Sequence, residues 1–281
     1  MITGQALILD MHSLAWKAYH TLAYKKLSTR EGTPTGVFYG MLVSVAKVLK
    51  RFPGAVRVLC AYDAGHSGRH ELYPDYKANR NHDESHGAES MRSFRVQLDQ
   101  VMGFFEDVGF HRLLEFGIEA DDLVAIYAKL WIQAHKKNSV VVVSIDRDFY
   151  QLLALSKRIG FYNHRSGLFF DYKNIQSEIP VDISLYCYYK ALVGDPSDNI
   201  PRCLSLRETM DFLAEKFPEK RLTKEMRRNL ALVRLPYRDM PPLRQTVNLQ
   251  VDTQQLAMAE VTLTALEIRA FTTESFALKS L

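Results

Sequence analysis

Three short apolar runs, each ending in aspartate, constrain the fold of this chain more than any other feature. They are "ALILD" ending at Asp10, "VRVLCAYD" ending at Asp63 and "SVVVVSID" ending at Asp146. Each run is continuously apolar rather than alternating, which is typical of a strand covered on both faces. Stretches with helical spacing lie between them, at residues 35–52 and 90–109. This alternation predicts an α/β protein with a mostly parallel sheet flanked by helices.

Acidic residues are concentrated where these strands end. The carboxyl ends of parallel strands meet at one crevice, so Asp10, Asp63 and Asp146 should lie close together. The tetrapeptide "EADD" at 119–122 opens a third predicted helix, and "GDPSDN" at 194–199 is a turn-rich loop. The candidate metal ligands are therefore Asp10, Asp63, Glu119, Asp121, Asp122, Asp146, Asp148, Asp195 and Asp198.

A cluster of this many carboxylates requires positive charge nearby. Like charges in one crevice repel each other unless a cation lies between them, and Mg²⁺ and Mn²⁺ prefer oxygen ligands. This set exceeds the needs of one ion and suits two, an arrangement that hydrolyses phosphodiesters. The residues alone leave one alternative open, in which the same acids cap helices and turns and share no ion.

The composition sets wider limits on the protein. The 281 residues are 47% hydrophobic and 24% charged with a net charge of +4, which fits one large domain or a domain with a smaller attachment. This mildly basic balance permits a polyanionic partner without demanding one. The three cysteines give neither a disulfide framework nor a zinc pattern, and the nine histidines show no ligand spacing. The sequence shows no leader or spanning segment, so we expect a cytoplasmic protein without membrane contact.

Four motifs resemble one protein family in their order and spacing. They are "YPDYKANR" at 73–80, "EADD", "S-x-D-x-D" at 144–148 and "GD-x-x-DN-I-P" at 194–201. The family is the structure-specific 5′ nucleases, which include bacterial and bacteriophage 5′→3′ exonucleases, also called flap endonucleases, and the nuclease domain of bacterial DNA polymerase I. The resemblance covers residues 5–201.

The resemblance implies a PIN-like α/β nuclease core at residues 1–180, with a helical arch around 76–100 through which a 5′ single strand passes. Residues 181–281 would then form a helical duplex-binding region and a C-terminal tail that packs on the core. A member of this family hydrolyses DNA phosphodiesters near a 5′ single-strand/duplex junction, as a 5′→3′ exonuclease and flap endonuclease in replication or repair. The implied partner is branched or nicked DNA, with RNA/DNA hybrids as further substrates, and the implied state is a monomer.

The family also implies two divalent cations, Mg²⁺ or Mn²⁺, held by the acidic residues. By the matching motifs, the first ion would be surrounded by Asp10, Asp63, Glu119 and Asp121 with support from Asp122, and the second by Asp146, Asp148, Asp195 and Asp198. In the family, the lysine and arginine of a Y-K-x-x-R motif reach the scissile phosphate from the base of the arch. Here they are Lys77 and Arg80, so the resemblance gives Lys77, Arg80 and Asp146 as catalytic side chains.

The same resemblance suggests which side chains contact DNA. The predicted set is Trp16, Arg69, Tyr76, Lys77, Arg80, Arg202, Arg207, Arg227 and Arg228. Trp16 follows Asp10 by six residues, where family members carry an aromatic residue that stacks on a base. A core position on the first helix is the alternative for Trp16, since tryptophan is commonly buried.

The sequence departs from the family pattern after "DNIP". The family has a glycine-rich hairpin there, which offers backbone N–H groups and a K⁺ ion to duplex phosphates, but this chain has no glycine from Arg202 to Phe217. The sequence therefore does not support a K⁺ site, and Arg202, Arg207 and the basic stretch 223–229 are the candidates to replace it.

Two other functions stay open at this point. A PIN-type ribonuclease would share the acidic crevice, although it would not need "YPDYKANR". A DNA-junction-binding protein without catalysis would tolerate loss of the carboxylates, and the complete acidic set argues against it.

Overall fold

A six-stranded sheet forms the centre of the protein. The computed structural model describes residues 4–21, 24, 26–63, 65, 67–80, 87–215, 218–238 and 253–276. The strands are β1 (Gln5–Asp10), β2 (Ala55–Ala61), β3 (His111–Leu113), β4 (Ser139–Ser144), β5 (Ile159–Asn163) and β6 (Phe169–Phe170). Their order is β3-β2-β1-β4-β5-β6, and every pair is parallel except β5 with β6. The prediction of a mostly parallel α/β sheet is confirmed.

Helices cover both faces of this sheet. They are α1 (Met11–His20), α2 (Gly36–Arg51), α3 (Gly68–Leu72), α4 (Ala88–Asp107), α5 (Ala120–Ala134), α6 (Tyr186–Val193), α7 (Leu206–Ala214), α8 (Lys224–Val233) and α9 (Thr253–Ala265). The helices α2, α4 and α5 lie where the apolar spacing predicts. Short 3₁₀ turns also occur, notably at Arg147–Ala154 and Pro196–Asp198. Among the described residues, no helix is long and apolar enough to cross a membrane.

Alternate side chains of the strands enter two separate hydrophobic cores. Ile8 and Val142 point to one face, where they pack with α5, α6 and α8. Leu7 and Val141 point to the other, where they pack with α1, α2, α4 and α9. Successive residues of a strand face opposite sides of a sheet, so a sheet covered on both sides needs continuously apolar strands. This explains the runs that predicted the strands.

The two cores also bear on the predicted domain division. The first core continues from Ala6 to Val233, so much of the chain beyond residue 180 is buried together with the sheet. In the second core, Leu263 and Phe276 of the tail pack with α2 and α4. Within the predicted arch, residues 81–86 lie outside the described residues. The division at residue 180 and the arch stay predictions.

Candidate active site

The carboxyl ends of three adjacent strands form one acidic cleft. Because β1 lies between β2 and β4, the aspartates that follow these strands share one edge of the sheet. The cleft has a volume of about 870 Å³. Its lining includes Asp10, Asp63, Asp121, Asp146, Lys77 and Arg80. We call this space, with those six side chains, the acidic cleft.

Asp10 is fixed by the junction between β1 and α1. It is the last residue of the strand and the N-cap of the helix, where its carboxylate accepts a hydrogen bond from the backbone N of Ser13 at 3.1 Å. The hydroxyl of Ser144, at the end of β4, donates to the other oxygen at 2.5 Å. Burial raises the pKa of Asp10 to about 6, although these hydrogen bonds oppose the shift.

Asp63 holds the start of α5 against the end of β2. Its carboxylate accepts a hydrogen bond from the backbone N of Ala120 at 2.7 Å, which is the first residue of the helix. Asp121, one residue further on, therefore faces the cleft. Burial and the nearby charge of Asp146 raise the pKa of Asp121 well above its usual range. The crowded "EADD" carboxylates thus do more than cap a helix.

Asp146 and Asp148 lie at the turn after β4. Asp146 caps a 3₁₀ turn and accepts a hydrogen bond from the backbone N of Asp148 at 2.8 Å. Burial raises the pKa of both side chains, and the charge of Asp146 adds to the effect on Asp148, whose pKa is raised to about 7. The charge of Lys190, whose Nζ atom lies 2.9 Å from Asp148, opposes the rise in both pKa values.

Three carboxylates beside the cleft already have basic partners. Asp148, Asp195 and Asp198 form what we call the second carboxylate group. The Nζ atom of Lys190 lies 2.9 Å from Asp148 and 2.6 Å from Asp195. The guanidinium of Arg80 pairs with Asp198. Burial acts to raise the pKa of Asp195, but hydrogen bonds from Lys190 and Ser197 outweigh it and lower that pKa.

The motif "YPDYKANR" packs directly on the loop "GDPSDN". The backbone N of Lys77 donates to the carbonyl of Asp198 at 2.9 Å. The side chain of Asn79 donates to the backbone carbonyl of Pro196 at 2.6 Å. In return the side chain of Asn199 donates to the carbonyl of Asp75 at 2.8 Å. Two motifs about 120 residues apart therefore form one wall of the site.

Lys77 is held in an unusual backbone conformation at this wall. Its φ of 59° lies in the left-handed region, which non-glycine residues seldom adopt. Its Nζ atom lies 2.9 Å from the carboxylate of Glu119, which also accepts a hydrogen bond from Ser67 at 2.6 Å. Burial acts to raise the pKa of Glu119, but the charges of Lys77 and Arg69 outweigh it and hold that pKa at about 2.

The donor set of the cleft suits a hard cation. Asp10, Asp63, Asp121 and Asp146 offer only carboxylate oxygens, and burial raises the pKa of three of them. Within the described ranges, no three acidic, histidine or cysteine side chains stand close enough to hold a metal ion. The chemistry of these residues fits a divalent cation, and binding would require the carboxylates to draw together.

Comparison with known proteins shows the family of this chain. A family model described as the N-terminal resolvase-like domain of 5′-3′ exonucleases matches residues 5–180, more than half of the chain. The chain belongs to the 5′-3′ exonuclease family. Its curated relatives include a thermostable DNA polymerase I from Thermus thermophilus, 36% identical over 200 residues, which are 70% of this chain and 22% of the polymerase. The chain thus spans about a fifth of the length of that relative.

Other known proteins are similar to this exonuclease-family chain over much of their own length. A 5′-3′ exonuclease from Buchnera aphidicola subsp. Schizaphis graminum is 27% identical over 213 residues, which cover 75% of this chain and 70% of that protein. The T5 5′-exonuclease with bound zinc superimposes with a TM-score of 0.67 at 21% identity, covering 83% of this chain and 90% of that one. A T5 flap endonuclease in a complex with DNA and metal ions superimposes with a TM-score of 0.64 at 19% identity, covering 97% and 98%. These structures share the fold.

Two predicted site residues of this exonuclease-family chain form a buried ion pair with each other. Arg69 was expected at a DNA phosphate and Asp122 near a metal ion, but both side chains are only 1% exposed. Arg69 donates to both oxygens of Asp122, at 2.6 and 2.9 Å, and to the carbonyls of Leu232 and Arg234. Asp122 also accepts from the backbone N of Tyr237. In this structure the two side chains are enclosed and paired with each other, and their predicted contacts with DNA and with a metal ion stay predictions.

Tyr76 is likewise enclosed within the protein. Its ring is 4% exposed, and its hydroxyl lies 3.3 Å from Glu119 and 3.4 Å from Asp198. Burial raises the pKa of this hydroxyl, so it stays protonated and donates between the two carboxylates. These contacts place Tyr76 beside Glu119 and Asp198, and its contact with DNA stays a prediction.

The remaining predicted DNA contacts differ in exposure. Trp16 lines the cleft half-buried, with its ring stacked near those of His20 and Phe94. Arg202 and Arg207 are exposed. Arg227 donates to the carbonyls of Leu222 and Glu219, and Arg228 lies over the ring of Tyr73. For all of these residues, contact with DNA stays a prediction.

Sequence reasoning missed several basic or titratable side chains of the site. Lys190 stands at the start of "KALVGD", five residues before Asp195, and this proximity was the available signal. His12 lies 3.6 Å from Asp63, and Arg95 and Arg165 also line the cleft. Nothing in the local sequence marks Arg165, because the β5–β6 turn brings it to the cleft only in the folded chain.

Proposed function

We propose that this protein is a divalent-metal-dependent 5′ nuclease that hydrolyses phosphodiesters of DNA at 5′ single-strand/duplex junctions. The observation that carries this proposal is the acidic cleft, which four aspartates line together with Lys77 and Arg80. The carboxylates can hold cations. Lys77 and Arg80 can bind the scissile phosphate of the DNA. The flap endonuclease and exonuclease names of its structural neighbours agree with this chemistry.

We assign the metal ligands in two groups. The first comprises Asp10, Asp63, Asp121 and Asp146, and the second comprises Asp146 with the second carboxylate group. Mg²⁺ or Mn²⁺ bound there would activate a water molecule for attack and stabilise negative charge on the phosphate oxygens. Glu119, although predicted as a ligand, has Ser67 and Lys77 as partners, and we propose that it positions Lys77.

Lys77 and Arg80 are proposed to orient the scissile phosphate. Each is paired with a carboxylate, Lys77 with Glu119 and Arg80 with Asp198. A phosphate entering the cleft would add a second anionic partner to each. Donors fixed in this way stabilise charge that develops during the reaction, because they need no reorganisation.

We propose branched or nicked DNA as the substrate, with RNA/DNA hybrids as further substrates and a monomer as the acting state. The proposed compartment is the bacterial or phage-infected cytoplasm. Trp16 would stack on a base near the cut, and the exposed Arg202 and Arg207 would contact duplex phosphates. The structural neighbours include a flap endonuclease in a complex with DNA, which supports DNA as the substrate.

The proposal that arginines replace the missing glycine hairpin makes a specific prediction. Duplex binding should weaken with total salt by roughly 0.9 log units of affinity per log unit of salt for each phosphate contact. It should depend little on whether the cation is K⁺ or Na⁺, which fluorescence anisotropy at matched ionic strength would measure. A marked preference for K⁺ would show that a K⁺ site exists after all.

One assay tests the proposed function against its alternatives. A 5′-flap DNA, a blunt duplex and a structured RNA are each incubated with the protein in Mg²⁺ and in EDTA. We expect cleavage of the flap at its junction in Mg²⁺ and none in EDTA. Preferential cleavage of the RNA would favour a PIN-type ribonuclease, and flap binding without any cleavage would favour a junction-binding protein.

A further inference from the structure

Lys190 occupies the centre of the second carboxylate group. It projects from α6, and its Nζ atom lies 2.9 Å from Asp148 and 2.6 Å from Asp195. The first carboxylate belongs to the turn after β4 and the second to the loop after α6, so the ammonium joins two segments. Its side chain is only 18% exposed. A cation between two partly buried carboxylates lies where a divalent ion bound by the same oxygens would lie.

The first group of carboxylates has no comparable partner. Across the part of the chain that the structure describes, the one basic side chain within 4.0 Å of Asp10, Asp63, Asp121 or Asp146 is His12, which lies 3.6 Å from Asp63. Lysine carries a fixed positive charge, whereas the groups that donate hydrogen bonds to Asp10 and Asp146 are neutral. The two groups therefore differ in the competition that an arriving ion would meet.

We propose that Lys190 is an internal competitor for the second divalent cation. It neutralises Asp148 and Asp195 in the ion-free protein and must leave at least one of them before that ion binds. The first ion then binds before the second, and Lys190 sets the ion concentration at which the second is retained. This inference rests on the proposed metal-dependent function and adds an order of loading to it.

The test is Mn²⁺ binding by the full chain without DNA, followed by electron paramagnetic resonance of the free ion. We expect Lys190→Met to bind the second ion about tenfold more tightly than the wild type, since an ion pair at a partly buried site contributes on that order. Binding of the first ion should not change. Lys190→Gln provides a second neutral variant, and circular dichroism checks that each variant is folded.

A matched control separates a local effect from a change in net charge. Lys136 is exposed in the loop before β4, at the opposite edge of the sheet, so Lys136→Met should leave binding of both ions unchanged. Equal tightening by Lys136→Met would overturn the inference, as would a second-ion affinity in both Lys190 variants that is unchanged or weaker.

Flap cleavage by the wild type in Mg²⁺ is measured in parallel. A wild type that cleaves, combined with unaltered Mn²⁺ binding by the Lys190 variants, contradicts this inference alone. A wild type that binds no Mn²⁺ and cleaves nothing contradicts both the inference and the proposed function.

Discussion

Single carboxylates of the site differ in whether a basic side chain neutralises them. Burial raises the pKa of Asp10 to about 6, with no lysine or arginine close to it among the described residues. Glu119 is equally enclosed, yet the charges of Lys77 and Arg69 outweigh burial and hold its pKa at about 2. Asp10 is therefore suited to bind an ion, whereas Glu119 is suited to position Lys77.

The role of Lys77 can be tested through rate and affinity separately. We expect Lys77→Ala to slow single-turnover flap cleavage by about 10²–10³, because a donor aimed at the phosphate contributes most in the transition state. Flap affinity should fall less than about tenfold, a change under about 1.4 kcal/mol. Arg207→Ala is the matched comparison, since Arg207 is exposed, and it should weaken binding and leave the saturated rate unchanged. A normal saturated rate for Lys77→Ala would show that the lysine only anchors DNA.

Between elements, the buried pair Arg69–Asp122 joins three parts of the chain. Arg69 belongs to α3 and Asp122 to α5. The carbonyls that Arg69 contacts belong to Leu232, in the last turn of α8, and to Arg234, directly after that helix. The aromatic ring of Tyr237 lies against the guanidinium, 5.1 Å from its central carbon. This contact fixes the start of α5, and with it Asp121, relative to the C-terminal segment.

Removing one partner of this pair should destabilise the protein strongly. We expect Arg69→Met to lower the free energy of unfolding by about 3–5 kcal/mol, because it leaves the Asp122 carboxylate buried without a counter-charge. Urea unfolding followed by circular dichroism measures the change. The double variant Arg69→Met/Asp122→Leu removes both charges and should recover part of the loss. A double variant no more stable than Arg69→Met would mean that packing, and not the unpaired charge, causes the effect.

The strands and helices were easier to predict from the sequence than the contacts between side chains. The strands β1, β2 and β4 followed from continuous apolar runs, and the aspartates at their ends followed from the parallel arrangement. The burial of Arg69 did not follow, because its partner Asp122 lies 53 residues away and the carbonyl of Leu232 lies 163 residues away. Lys190 was missed for the same reason, since its position between two acids depends on how α6 packs beside the turn after β4.

At the scale of the whole molecule, the raised pKa values link stability to pH and to divalent ions. Asp10 and Asp148 have pKa values of about 6 and about 7, against 3.8 when unperturbed. Between pH 3.8 and about 7 the folded protein therefore binds more protons than the unfolded chain at these groups. Their contribution to stability is present at low pH and is lost as the pH rises through 6 to 7.

Two histidines give the opposite dependence of stability on pH. Burial lowers the pKa of His111 to about 4 and that of His164 to about 3, so their contribution to stability is lost as the pH falls below 6.5.

The rise in melting temperature on addition of Mg²⁺ is a difference between the protein with and without the ion. The contribution of the histidines is common to both and cancels in this difference. Ions bind deprotonated ligands, so we expect a larger rise at about pH 8 than at about pH 5 in scanning fluorimetry. An equal rise at both values would contradict ion binding by Asp10 and Asp148.

The most direct test of the acidic cleft as a metal-dependent nuclease site is single-turnover cleavage of a 5′-flap DNA by Asp146→Asn in Mg²⁺. We expect cleavage to slow by at least about 10³-fold, because loss of a ligand removes several kcal/mol of charge stabilisation, while flap affinity is retained. Asp182→Asn is the matched control, because Asp182 is exposed and caps a 3₁₀ turn that asparagine can also cap. We expect this variant to cleave the flap at the wild-type rate. Cleavage by Asp146→Asn at the wild-type rate would contradict the assignment of the cleft as the active site.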